Sequence, residues 1–435
     1  MRVLMFGWEF PPFQAGGLAT ATLGLVKGLL NRGIEVTLVV PFSLSAVAEV
    51  PNLRLVSAAD PRPGLRSIRI DSPLAPYGGA EEYRVLAEQG TGGTRGGAVY
   101  GADLFAEVER YAAIAEQIAR EEPHDLIDTH DWITFEAGRR ARAVSCQPLV
   151  AHIHATEYDR CGGPGNPEIH RREALGMLLA DRVVSNSHML KGQVVERYGI
   201  PAEKIDVVHF GIEAPDELAP VADVAVARGR PTVLFLGRVT RQKGPEYFLD
   251  VARRVADHVP EAEFILAGTG DLLPEMIERA VELDLAERMH FAGAVKGDEV
   301  DRLYRAADVC VMPSVSEPLG LVALESLRNG TPCIIPKTAG VAEVLRHAMR
   351  VDYWDVDDMA DKVIGLLEHP QLWEELSDGG LDEVRDARLG LDEAARRTGE
   401  AYAVALGSPL AASPSHPERS EGGIPQGMPP SLRSG

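Results

Sequence analysis

One pattern recurs along the chain and limits what it can become. A short run of consecutive apolar residues is followed by a turn and then by apolar residues at helical spacing. Val3–Phe6 is the first such run, and Leu18 to Leu30 is the first helical stretch, stopped by Asn31-Arg32-Gly33. Val36–Val40, Leu126–Thr129, Leu149–Ile153, Val183–Ser185 and Ile205–Val208 repeat the apolar run. The series restarts at Val233–Gly237 and continues through Phe264–Ala267, His290–Ala292, Val309–Met312 and Cys333–Ile335. Strands that read as continuous apolar runs between helices belong to parallel sheets covered on both faces. The spacing predicts two doubly wound α/β domains in tandem, over 1–212 and 231–390, joined by a Pro- and acid-bearing linker at 213–230. A helix at 391–406 is expected to return to the first domain. The Gly-rich stretch 73–101 reads as an irregular insertion, and the Pro/Ser/Gly-rich stretch 407–435 as a disordered tail.

Composition narrows the function. The 435 residues carry a formal charge of −21, with 45% apolar and 25% charged residues. That balance excludes a wholly disordered chain and disfavours nucleic acid or an anionic membrane as partner, since both need a basic surface. No apolar run approaches the length of a transmembrane helix, and the N-terminus reads as a buried strand, not a signal peptide. The four cysteines, Cys146, Cys161, Cys310 and Cys333, have no metal-ligand spacing; a reducing cytoplasm is the expected compartment.

In doubly wound sheets, ligands bind beyond the carboxyl ends of the strands. Gly16 and Gly17 follow the first strand and open a helix, where free N–H groups favour a phosphate or form a tight turn. Arg238 and Lys243 follow the strand at Val233, a basic pair suited to a diphosphate or to solvation. Gly268 and Gly270 follow the next strand without a full G-x-G-x-x-G, which argues against a dinucleotide oxidoreductase. The densest constellation is Ser316 to Glu325. A helix starting near Gly320 leaves Glu317 in the loop, puts Glu325 in the second turn, and turns the amides of Gly320, Leu321 and Val322 toward an anion. In the first half, His130-Asp131 and the strand pair His152 and His154 are either a metal set, without a well-spaced third ligand, or satisfied core histidines.

These motifs have a family resemblance that spans residues 1–390. GWEFPPFQAGGLATATLGLVKGL, HDWITFEAG, AHIHATEYDR, GRVTRQKG and EPLGLVALE followed by NGTP resemble the retaining, nucleotide-sugar-dependent glycosyltransferases of the GT-B fold. The first half is similar to glycogen and starch synthases. The resemblance implies two Rossmann-like domains with a cleft between them, the first for the acceptor and the second for the donor. It places Glu317 at the donor sugar, Glu325 on the ribose, and Arg238 and Lys243 on the leaving diphosphate. It also puts His154 on the donor sugar 6-hydroxyl. Gly16, Gly17, Gly268, Gly270, Gly320, Leu321 and Val322 fall on the donor side, and Glu9, His130 and Asp131 on the acceptor side. No metal or other cofactor is required if two cations and helix N-termini stabilise the departing charge. The expected partners are a nucleotide sugar and a glycan, with glucose moving from ADP- or UDP-glucose to an α-glucan such as glycogen.

Three departures qualify this. Gln14-Ala15-Gly16-Gly17 stands where many synthases have Lys-Thr-Gly-Gly, which leaves the nucleotide open. His209-Phe210-Gly211-Ile212 replaces the usual Asn-Gly-Val, and the loop Ala339 to Glu343 is one glycine short. The alternatives are another hexose donor with a non-glucan acceptor, a nucleotide-sugar epimerase, or a non-catalytic sugar-binding protein.

Overall fold

The computed structural model describes residues 1–11, 17–42, 44, 50–59, 104–213 and 229–407. The stretch 73–101, nearly all of 213–230 and the tail beyond 407 lie outside the described residues, as does Gly16. The chain divides into two compact units.

The first unit holds a seven-stranded sheet: β1 (Arg2–Phe6), β2 (Glu35–Val40), β3 (Arg54–Ser57), β4 (Leu126–His130), β5 (Leu149–Ile153), β6 (Arg182–Ser185) and β7 (Ile205–Val207). Its order is β3-β2-β1-β4-β5-β6-β7, with every pairing parallel. The winding reverses between β1 and β4, so the loops after those strands diverge and leave a ligand crevice at their carboxyl ends. β4 and β5 are buried along their whole length.

The second unit holds six parallel strands: β8 (Thr232–Leu236), β9 (Glu263–Ala267), β10 (Met289–Gly293), β11 (Val309–Val311), β12 (Cys333–Pro336) and β13 (Met349–Val351). The order β10-β9-β8-β11-β12-β13 reverses between β8 and β11, and all pairings are parallel. The α/β reading of two parallel sheets therefore stands. The edge strands β3 and β13 had no counterpart in the sequence pattern. Each is only three or four residues long and carries an arginine, so neither makes a continuous apolar run.

The C-terminal helix Leu391–Gly407 belongs to the first unit. It lies against the helix Gly17–Asn31, where a Cβ on Gly28 would sit 2.6 Å from the Leu391 carbonyl oxygen and 2.8 Å from Ala395 Cβ. Only a glycine admits that approach. The sequence pattern assigned all of 1–212 to one domain, whereas Asp159–Gly163 groups with the second unit. There Asp159 accepts a hydrogen bond from Ser316 Oγ at 2.6 Å. Among the described residues no helix is long and apolar enough to cross a membrane.

Candidate active site

Two sets of chemistry-bearing side chains form, one in each unit. In the second unit, β8 ends at Leu236 and the chain runs through Gly237-Arg238 into a single turn of 3-10 helix, Arg241–Lys243. Gly244 closes that turn at φ 64°, and a Cβ there would meet the Pro313 carbonyl at 2.2 Å. Glycine is therefore required for the turn to approach the loop after β11. That approach carries Lys243 to Glu317, with Nζ 2.6 Å from Oε2. Ser314 Oγ donates to the same oxygen at 3.1 Å, and Glu317's own carbonyl accepts from Gly340 N–H at 2.8 Å. Arg238 donates to Gln242 at 2.9 Å, and Gln242 in turn donates to the Ser316 carbonyl and accepts from Val315 N–H. The two loops are thus stitched together by Gln242, a residue the sequence motif did not single out.

The helix after this loop runs Leu321–Arg328, with Gly320 before it at φ 94°. The amides of Leu321 and Val322 lie in its first turn, where they have no intrahelical acceptor. Glu325 follows one turn later. Its Oε2 accepts from Tyr304 Oη at 3.2 Å, and burial pushes its carboxyl up to about 7. Gly268, at φ 145°, would place a Cβ 1.8 Å from the Gly237 carbonyl, and one on Gly270 would lie 2.3 Å from the Val239 carbonyl. Both glycines are needed where the loops after β8 and β9 press together, a requirement independent of any ligand.

The first unit gathers its set at the ends of β4 and β5. The parallel register places His130 opposite His152. The rings of His130, His152 and His154 stack, His130 being 4.6 Å from His152 and 5.1 Å from His154. Phe210 covers His154 at 5.2 Å. His130 Nδ1 is hydrogen-bonded to His154 Nε2 at 2.8 Å. Asp131 sits at φ 61°, a strained conformation for a residue with a side chain. Its N–H donates to the His152 carbonyl, and its Oδ1 accepts from His154 N–H at 2.7 Å. Asn186 donates to the His154 carbonyl at 2.8 Å. Asp131 therefore clamps the His154 backbone and does not cap the helix that follows it. Glu9 is buried beyond the end of β1, and Gly17 opens the helix Gly17–Asn31.

Beneath the three rings lies Asp128, which the sequence reading missed. Its Oδ1 is 3.2 Å from His152 Nε2, and its Oδ2 is 3.6 Å from His130 Nε2. The Tyr402 hydroxyl also donates to Oδ2. Burial opposes ionisation of Asp128, but His152 and His130 outweigh it and hold the carboxyl well below its usual range. Burial pushes the His152 and His154 imidazolium forms down. Asp128, His130 and His152 present ligand-type atoms within 4.8 Å of one another. The nearly parallel rings, at 17°, each address a different oxygen of one carboxylate. Neither ring nitrogen is aligned for a hydrogen bond to the carboxylate, and two parallel rings facing separate oxygens do not converge their lone pairs on one point as a metal site requires. An acid inside the buried run Leu126–His130 was the signal available for Asp128; nothing in the sequence pointed to Tyr402.

Comparison with known proteins now places the chain. Residues 15–214 match the model described as Glycosyltransferase Family 4, and residues 230–369 the model described as Glycosyl transferases group 1. A D-inositol 3-phosphate glycosyltransferase of Thermobispora bispora is 30% identical over 307 residues, covering 65% of this chain and 71% of that one. The chain belongs to the GT-B glycosyltransferases. An uncharacterised glycosyltransferase of Methanocaldococcus jannaschii is 29% identical to the transferase over 360 residues, 80% of this chain and 83% of the other. Sucrose-phosphate synthase from Thermosynechococcus elongatus shares the transferase's fold, with TM-score 0.72 at 19% identity over 92% of this chain and 98% of that one. So does HepE of Anabaena, solved in complex with UDP-glucose, with TM-score 0.67 at 16% identity over 93% and 99% of the two chains.

Proposed function

We propose that this transferase moves a hexosyl unit from a nucleoside diphosphate sugar to a hydroxyl acceptor with retention at the anomeric carbon. The donor is UDP- or ADP-glucose and the acceptor an α-glucan. The observation that carries the reading is the loop pair holding Lys243 2.6 Å from Glu317, with Arg238 on the loop that leads into the Lys243 turn and the Leu321 helix opening after Gly320. Transfer builds negative charge on the departing diphosphate and positive charge at the anomeric carbon. Two cations and a helix N-terminus answer the first, and the Glu317 carboxylate the second. On this reading no metal ion is required, and turnover should persist in EDTA. Glu325 holds the ribose hydroxyls, and His154 meets a hydroxyl of the sugar.

A second acceptor class has its own support. The Thermobispora bispora relative is named for D-inositol 3-phosphate, a small phosphorylated polyol, and not for a glucan. One experiment separates the two. Purified protein is incubated with UDP-glucose, ADP-glucose, UDP-GlcNAc and GDP-mannose, each with glycogen, maltooligosaccharide, inositol phosphate or no acceptor, and diphosphate release is followed. Release from a glucose donor only with glucan supports the first reading. Release only with inositol phosphate replaces it with the second. Absence of acceptor-dependent release under every pairing overturns both.

A further inference from the structure

A fully buried carboxylate survives folding only where donors or cations compensate it. Asp128, at the centre of β4, accepts one hydrogen bond, from the Tyr402 hydroxyl; His152 Nε2 and His130 Nε2 stand 3.2 and 3.6 Å from its two oxygens, near enough to act on its charge but not aligned as hydrogen bonds. On its other edge the His130 ring meets His154, with Nδ1 2.8 Å from Nε2. One of those two nitrogens must carry the shared proton, and the other must accept it.

We propose that Asp128 is a positioning residue that fixes the tautomer of His154 through His130. The carboxylate favours a proton on the His130 nitrogen facing it, Nε2. His130 Nδ1 is then bare and accepts, so His154 donates from Nε2 and leaves its own Nδ1 as an acceptor. In the opposite arrangement a lone pair on His130 would face the carboxylate at 3.6 Å, which is repulsive. The position of the His154 backbone is already set by Asp131 and Asn186, and its ring face by Phe210. The tautomer is the freedom that remains. Since burial disfavours the His154 imidazolium, the ring works as a neutral group, and which nitrogen is bare decides what it can do. A bare Nδ1 takes a hydrogen bond from a sugar hydroxyl. This last step rests on the reading of His154 given under the proposed function; the tautomer itself does not.

The test has two arms on the full-length chain. In the first, the protein is labelled with nitrogen-15 histidine, and the His154 signals are assigned by their loss in His154→Gln. The expected spectrum of the unsubstituted protein has a proton-bearing Nε2 and a bare Nδ1 on His154. In Asp128→Asn the two tautomers should mix. A proton on His154 Nδ1 in the unsubstituted protein overturns the proposal, even if Asp128→Asn does not fold. An unchanged His154 signal in a folded Asp128→Asn also overturns it. The second arm compares the productive donor with its 6-deoxy analogue. Asp128→Asn should lose roughly tenfold to a hundredfold in kcat/KM with the parent donor and almost nothing with the analogue. Equal losses on both donors would mark Asp128 as merely structural. Absence of turnover with every donor would overturn the proposed function and leave the tautomer result standing.

Discussion

Lys243 and Glu317, 74 residues apart, form an ion pair of 2.6 Å at the carboxyl ends of the adjacent strands β8 and β11. Each is mostly shielded from water, so each is the other's compensation until an anionic ligand arrives. Removing the lysine therefore does two things: it deletes a cation aimed at developing charge, and it leaves a shielded carboxylate beside the anion. Lys243→Ala should lose turnover by roughly a hundredfold to a thousandfold. Glu317→Gln leaves Lys243 free to bind the nucleoside diphosphate and should lower turnover while leaving calorimetric affinity for the diphosphate equal or tighter. Unchanged initial rates in both variants would remove the pair from the reaction.

Glu325 supplies the pH dependence. Its carboxyl is raised by burial from 4.5 to about 7, so the unfolded chain ionises it before the folded one does. The stability it contributes is full below about 4.5 and is lost as pH rises through about 7. The urea midpoint should fall across that window, and in Glu325→Gln the fall should be smaller. A steeper fall in the glutamine variant would contradict the assignment.

The fold was legible because buried parallel strands declare themselves as largely apolar runs, unbroken in Val233–Leu236 and Phe264–Ala267. The edge strands β3 and β13 gave no such signal, since they are short and half solvated. At the site, the helix start after Gly320 followed from residue order, because a glycine, a turn and an apolar-periodic stretch are local features. The Asp128–Tyr402 contact was illegible: it joins residues 274 apart, and no local pattern encodes a contact made by a returning helix. Gly268 and Gly270 illustrate the reverse. They read as ligand-facing, and their structural requirement is the close passage of two backbones.

Gly320 tests that distinction. At φ 94° an alanine is strained, and its Cβ would lie 2.6 Å from Val341 Cγ1. Gly320→Ala should cost about 1–3 kcal/mol of stability, read from chemical denaturation. It should also shift the first turn that presents the Leu321 amide, so diphosphate affinity should fall with it. Loss of stability with affinity intact would separate the glycine's packing role from ligand contact.

Cysteine labelling reads the same packing without mutation. Cys310 and Cys333 face each other across β11 and β12 and are buried, whereas Cys146 is exposed at the end of the helix Trp132–Ser145. Thiolates react, and burial hides a thiol; for Cys333 the contact with Cys310, and after it burial, also disfavours the thiolate. Mass spectrometry after brief alkylation of the native protein should find Cys146 modified first, with Cys310 and Cys333 intact until denaturant is added.

The docking of the last helix is the most direct test of the first unit. Gly28 meets the Leu391 carbonyl and Ala395 so closely that one methyl group has no room, since the obstructing atom is backbone. Gly28→Ala should therefore destabilise by about 1–3 kcal/mol despite alanine's better helix propensity. Gly192, inside the helix His188–Tyr198, meets nothing within 4 Å, and Gly192→Ala should stabilise by roughly 0.4–1 kcal/mol. The two variants make the same chemical change in helices of one unit and differ only in what the methyl group touches. Opposite signs in their urea midpoints would show that the close approach, not helix propensity, governs Gly28. If the Leu391–Gly407 helix is displaced, Tyr402 leaves Asp128, so Gly28→Ala should also lower turnover at temperatures where the protein is still folded.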